Sequence, residues 1–505
     1  MFKILKADKD AYITDRVIRS VRVVSCNVGS AGSLDLFKLY GITFSGSSTP
    51  NTELSRLLVH FDLDPLRTLV TNGKVDTTNP SFNCTLKLFD VYGGQPTPKN
   101  FRVTVHPMSR SFDEGLGRDV VFYGDNDFCN FLSGSRTQGG WILSGAASGG
   151  HSTGSVDYIV TTVINNVTTS LELTQLFETG EEDLEVDVTQ IISATLSGIL
   201  PDEGFRIALT SSLETDTRTY FVKRFASRTA FNEDKHPQLI VKFDDSVQDD
   251  ANDLFLDSSG SLFVYNYAQG SPANIISGSA GTSITGSNCI ILKLITEISG
   301  GTYTLAFTGS QHYSGINPAT GIYSASVFLP STNATYASKL LQSSSIKLIP
   351  VWGSLDGTVG YLTGTAIYAY PPTRSTSLLE PKKYVVTVTG LKTEFDIDEQ
   401  TFLKVNIFDK TSIKVVKTPV ELPGSVIRDV HYSIRDVNTS VPIIPFDTTN
   451  NSTRVSSDAS GMYFKLDVGN LIPGRSYVVD VMIVTNDNEQ IFRSASASFR
   501  VIDLP

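Results

Sequence analysis

The residues best suited to chemistry are six histidines, His60, His106, His151, His236, His312 and His431, because imidazole titrates near neutrality and ligates metals. They stand singly. No His-x-His or His-Glu-x-x-His spacing supplies a metal site or a positioned base. Asp113 and Glu114 are adjacent carboxylates, but neighbours on a strand face opposite sides and cannot flank one substrate bond. Gly124-Asp125-Asn126-Asp127 could offer oxygens to calcium, yet it lacks the twelve-residue loop of a dedicated site and reads as a turn. No Gly-x-Ser-x-Gly elbow and no phosphate loop appears, and Gly145–Gly154 lacks the flanking strand and helix of a phosphate cradle. Cys26, Cys84, Cys129 and Cys289 form no Cys-x-x-Cys pair and are expected as small, mostly buried free thiols. The sequence therefore nominates no catalytic, cofactor-binding or metal-ligating residue, and no enzyme is expected.

The elements that would position such residues are strands. Charged residues are only 18% of the 505, and Val, Ile, Thr, Ser, Tyr and Phe abound, which is β-rich composition on a chain too long for one core. The stretch Glu53–Leu66 reads as a central strand: Val59, Phe61 and Leu63 form a buried stripe, Leu58, His60 and Asp62 face the other way, and Asp64-Pro65 stops it. Around it, strands are expected at 11–14, 21–25, 34–40, 84–92, 101–107, 184–189, 204–209 and 239–243. A short helix capped near Thr189 is expected at 190–196. A Gly/Ser/Asp-rich insert at 115–180, anchored by Trp141, is long enough to be functional or to contact a partner.

Four motifs in this region carry a resemblance by their order: Ala7-Asp8-Lys9-Asp10-Ala11-Tyr12-Ile13, Arg56–Leu63, Phe112-Asp113-Glu114 and Val186-Asp187-Val188-Thr189. The ending fits too, with Phe225-Ala226-Ser227-Arg228 before His236–Val241. The region resembles a DNRLRE-type domain, which implies a carbohydrate-binding-module-like, jelly-roll-like β-sandwich over residues 1–245. The family's naming string is absent, and Phe112 stands where the family often has tryptophan.

An acidic linker or loop is expected at 244–256, a second β-sandwich over 254–370, and a Pro/Ser/Thr linker at Pro371–Ser377. Residues 380–505 hold six candidate strands, at 385–388, 402–408, 430–434, 462–466, 477–484 and 495–501, with Asn486-Asp487-Asn488 as the last hairpin turn. Leu471–Val481 resembles the tyrosine-corner stretch of fibronectin type III and immunoglobulin-like domains, which implies that Tyr477 bonds back to its turn. The expected fold is all-β, with three consecutive sandwich-like domains.

The net charge of −11 argues against a nucleic-acid partner. No apolar run approaches the ~20 residues that span a bilayer, and the start turns charged too soon for a signal peptide. By analogy of architecture, the chain resembles virion structural proteins of tailed bacteriophages, of the neck, tail, baseplate or capsid-decorating kind. That implies contacts with copies of itself and with other virion proteins. The alternative is an adhesin docking on cell-surface glycan through the N-terminal domain.

Overall fold

The computed structural model describes the chain apart from residues 19–20, 43–50, 73, 95, 119–127, 136–138, 253, 269–270, 278–280, 300, 315–316, 372–382, 410–425, 459–460, 486–487 and 504–505. It is all-β with short helices, and it divides into two compact units. One comprises Phe2–Val70 with Thr77–Lys242, and the other Met1, Thr71–Asp76 and Phe243–Pro505.

In the first unit the strands hydrogen-bond in the order Leu173–Phe177, Phe101–Pro107, Phe205–Leu209, Asn51–Phe61, Phe2–Thr14, Gln238–Lys242, Asn83–Leu88, Leu184–Asp187. The expected strand at 11–14 is only the end of Phe2–Thr14. Residues Phe2–Lys6 pair with Gln238–Lys242, Ala7 pairs with Phe61, and after a register break between Ala7 and Lys9 the rest pairs with Ser55–His60. A bulge lets one strand bend from one sheet into the next, which is how a sandwich turns its corners.

Asn51–Phe61 is central, as its pattern indicates, but it does not have one apolar face. Leu57, Leu58 and Val59 are all fully buried. The reason is the insert: Leu58 packs with Phe112, Trp141 and Ala146. The strand stops at Phe61, short of Asp64-Pro65, which instead opens an unforeseen helix, Asp64–Thr71, because proline suits a first helical turn whose N–H would be unpaired anyway. The strand Tyr220–Ala226, paired with Ser33–Ile42, was also hidden; it carries Lys223, Arg224 and little alternation. The expected strand at 21–25 shrinks to Val21–Arg22, and that at 84–92 stops at Leu88. The helix Thr189–Leu196 forms, but Val188 caps it without a side-chain bond, because the Thr189 hydroxyl instead accepts from Cys84 N at 2.8 Å.

In the second unit, eight strands make one sheet in the order Leu254–Phe255, Ile367–Tyr370, Ile346–Ser354, Ile290–Ile298, Gly301–Ser314, Asn317–Phe328, Ser259–Tyr265, with Gly360–Thr363 beside Ile346–Ser354. Ile346–Ser354 and the helix Ala334–Gln342 were not anticipated; Asn333 caps the helix by accepting from Thr335 N at 3.0 Å. The acidic segment is not a free linker, since Asp249 N donates to Ser457 O at 3.2 Å and Ser457 N to Val247 O at 2.8 Å. Pro371 follows the last strand of this sheet, and the rest of the Pro/Ser/Thr stretch lies outside the described residues.

Residues 384–502 form an immunoglobulin-like sandwich. One sheet orders Tyr384–Thr389, Gln400–Asp409, Gly461–Asp467, Ser456–Asp458; the other orders Glu394–Asp396, Asn488–Ile502, Ser476–Thr485, Val430–Asp436, Pro442–Ile444. All six expected strands are present. Tyr477 makes the corner: its buried hydroxyl accepts from Ile472 N at 2.9 Å. The last hairpin pairs Thr485 with Asn488, and residues 486–487 between them lie outside the described set.

Candidate interaction surface

The insert is held by polar groups on the strands it covers. Arg56, on the central strand, donates from Nη1 to Gly145 O at 2.6 Å and grips Glu214 through Nε and Nη2 at 2.9 and 2.8 Å. Asn27 donates to Glu114 O at 2.6 Å and Cys129 O at 2.8 Å, while its Oδ1 accepts from Gly29 N and Gly117 N. Glu114 takes both forks of Arg228, at 2.6 and 2.7 Å, and accepts Asp10 N at 2.8 Å. Arg228 N in turn donates to Asp10 Oδ2 at 2.6 Å. Asp10, Glu114 and Arg228, from three separate stretches of the chain, thus meet in one knot. Burial raises the Asp10 carboxyl to about 7, with the Glu114 charge adding to it and the Arg228 N–H opposing it. Its Oδ1 is buried without a hydrogen-bond partner, which suits a proton there.

The other end of the insert hangs on Asp157, fully buried, whose carboxylate accepts from Ile142 N, Leu143 N and Ser148 N at 2.7, 3.1 and 3.0 Å. Trp141 is the expected anchor: its indole N–H donates to Asn130 O at 2.9 Å, and its ring lies where a Cβ on Gly134 would come within 2.5 Å. Beneath, Tyr158 lies 4.3 Å from the buried Arg206 guanidinium and 4.8 Å from the His106 ring. Burial and the Arg206 charge depress the His106 imidazole to about 4, so it is neutral at physiological pH.

Among the residues this scaffold presents outward are large apolar ones. Trp141 N donates to Leu132 O, and beside that contact Leu132 is 44% exposed, Ile142 44% and Leu143 56%. The insert is also shorter than its composition indicates. Leu173–Phe177 is an edge strand of the main sheet, with Phe177 stacked on Phe101 at 4.9 Å.

The residues weighed for chemistry are dispersed. Asp113 accepts from Ser135 Oγ at 2.6 Å while Glu114 turns to Arg228, so the two carboxylates diverge, although no strand holds them. His60 bonds Asp8 Oδ1 at 2.6 Å. Burial lowers its pKa, but that bond and the Asp8 and Asp202 charges outweigh burial and leave it above the ordinary value. His431 and His312 are depressed by burial, and His236 bonds Ala230 O at 2.8 Å. The four cysteines are free thiols, Cys289 half-buried and the others buried. Gly124–Asp127 lies outside the described residues. Among the described residues, no group of three or more His, Cys, Asp or Glu side chains could hold a metal ion, and no helix is long and apolar enough to cross a membrane.

No family model and no curated protein matches the chain. Among solved structures, the N-terminal Ig1-2 module of the Drosophila receptor protein tyrosine phosphatase DLAR aligns at 7% identity, covering 52% of this chain and 96% of that one, with a TM-score of 0.15. The FN1-FN3 domains of chicken CNTN1 align at 12% identity over 65% of this chain and 81% of that one, with a TM-score of 0.16. The superposition is too poor to argue from. The immunoglobulin-like description of residues 384–502 rests on their own two sheets and the Tyr477 corner.

Proposed function

We propose that this chain is a non-enzymatic structural protein of a tailed-bacteriophage virion, joined to copies of itself and to other particle proteins through the insert of its first unit. The observation that carries the reading is the apolar group Leu132, Ile142 and Leu143, turned to solvent on a loop that Arg56, Asn27 and Asp157 hold in place. Exposed aliphatic side chains on a fixed scaffold favour a protein partner, since association removes their surface from water without first ordering the loop. The phage context comes from architecture, a row of β-modules with an immunoglobulin-like end.

Light scattering on the purified chain tests the contact. The wild type should run as an oligomer at tens of micromolar, and Leu132→Ser/Ile142→Ser/Leu143→Ser should fall to monomer with its thermal unfolding unchanged. A wild-type monomer would overturn self-assembly through the insert. An antibody to the chain that fails to decorate purified particles would overturn the virion assignment.

A further inference from the structure

Within the insert, Gly149–His151, Tyr158–Ile164 and Val167–Ser170 make a three-stranded sheet that ends at Val167–Ser170. Among the described residues nothing pairs with the outer side of that last strand. The strand is well formed, since Asn165 and Asn166 take φ of +50° and +63° in a two-residue turn, whose twist matches a tight hairpin. Val167, Thr168 and Ser170 are exposed. Natural edge strands are usually blunted by charge, proline or a bulge. This one is four residues long but carries none of these: its pairing with Tyr158–Ile164 is unbroken from Thr161 to Val167, and no charged residue occurs between Asp157 and Glu172.

We propose that Val167–Ser170 pairs antiparallel with the same strand of a second copy, across a two-fold axis at Thr169. The inference rests on the self-assembly reading above and names its geometry. Leu171 N donates to Val160 O at 2.8 Å, so by strand alternation Thr169 and Val167 bond inward, while the N–H and C=O of Thr168 and Ser170 point outward. Antiparallel pairing must set outward-bonding residues opposite each other. With Thr169 facing Thr169 of the second copy, Thr168 and Ser170 exchange both bonds, and the axis repeats the exchange.

Charge favours a second copy as the occupant. The strip itself is uncharged, so two copies of a chain of net −11 can meet along it without like charges facing each other within the strand. In this register the nearest acidic residue of the strand, Glu172, faces Asn166 of the other copy. The two Glu172 residues then sit six positions apart along the strand, about 20 Å, which exceeds the Debye length of about 8 Å at physiological salt. The result is a six-stranded sheet shared by two chains in an isologous contact.

Cysteine cross-linking and light scattering of the full chain test this. Directly opposed, non-hydrogen-bonded residues lie about 4.5 Å apart at Cα, within disulfide reach. Thr169→Cys should therefore give a disulfide-linked dimer on oxidation, while Val163→Cys, exposed on the inner strand, should not. Thr169→Lys sets two ammonium groups opposite each other, and Thr168→Pro removes an outward N–H without touching the hairpin's own bonds. Each should weaken association about tenfold. A Thr169→Cys chain that does not cross-link, or edge variants that keep wild-type mass, would overturn the pairing. If the edge variants keep wild-type mass while the Leu132/Ile142/Leu143 variant dissociates, the edge proposal fails and the insert reading stands. The reverse pattern refutes the aliphatic contact and retains the strand.

Discussion

Asp10 shows how little a single residue's type says about its state. It sits in a motif of alternating charge, Asp8-Lys9-Asp10. Folding buries it against Glu114 and Arg228 and lifts its pKa to about 7. The sign follows from proton counting. Between about 4 and 7 the native state holds a proton the unfolded chain releases, so stability present at acid pH is lost as pH rises through about 7. Unfolding followed by Trp141 fluorescence, with Trp352 replaced by phenylalanine, should show the first unit losing on the order of 1–4 kcal/mol from about pH 5 to about pH 8. Asp10→Asn should flatten that slope; an unchanged slope would refute the buried proton. Lys38 and Lys223 are equally illegible. Both are buried on paired strands: Lys223 donates to Gly180 O and Glu182 O at 2.9 Å and pairs with Asp90, and Lys38 donates to Leu213 O at 2.9 Å. In sequence either lysine resembles a surface residue, because its acceptors are backbone carbonyls and one distant carboxylate, Asp90 or Asp216, that composition cannot place beside it.

Among the elements, the insert depends on a close approach at Gly134. An added Cβ would meet the Trp141 ring at 2.5 Å, so Gly134→Ala must shift the indole, whose N–H bonds Asn130 O. A cost of about 1–3 kcal/mol is expected from overpacking. The tryptophan emission should shift to the red as the ring meets water, and an unshifted spectrum with unchanged stability would show that the insert does not hang on this contact. Trp141 was legible as an anchor because it is a lone large aromatic in a Gly/Ser-rich run. The strand Leu173–Phe177 was not, because its apolar residues are spaced like those of a loop and only pairing with Phe101–Pro107 makes it an edge. Of the immunoglobulin-like strands, Gln400–Asp409 and Gly461–Asp467 alternate buried and more exposed residues, as a sheet covered on one face does, whereas Val430–Asp436 and Ser476–Thr485 are buried along most of their length.

Over the second unit as a whole, the acidic segment ties the eight-stranded sheet to the immunoglobulin-like sandwich. Val247–Asp249 lie along Ser456–Asp458, and Arg428 reaches Asp250 at 2.9 Å. Burial lifts the Asp249 carboxyl to about 7, the Asp250 and Asp458 charges add to this, and the N–H groups of Ala251 and Phe263 oppose it. Its folded-state pKa is raised, so the tie is firm at low pH and loosens as pH rises through about 7. Limited proteolysis within 244–257 should quicken several-fold from about pH 6 to about pH 8.5, and Asp249→Asn should resist across that range; equal rates at both pH values would rule the switch out. By itself the sequence determined the fold class, the central place of Asn51–Phe61, the Trp141 anchor and the Tyr477 corner, because each depends on local alternation, a turn signal or a single large residue. Only the tertiary structure decided that Phe2–Thr14 serves two sheets, that Leu58 lies under the insert, that Asp10, Glu114 and Arg228 meet, and that Val247–Asp249 add to a distant edge. Those contacts join residues more than a hundred positions apart or turn on which face a neighbouring segment covers. Pairing between distant segments is set by burial and hydrogen bonding in three dimensions, and no local pattern encodes it.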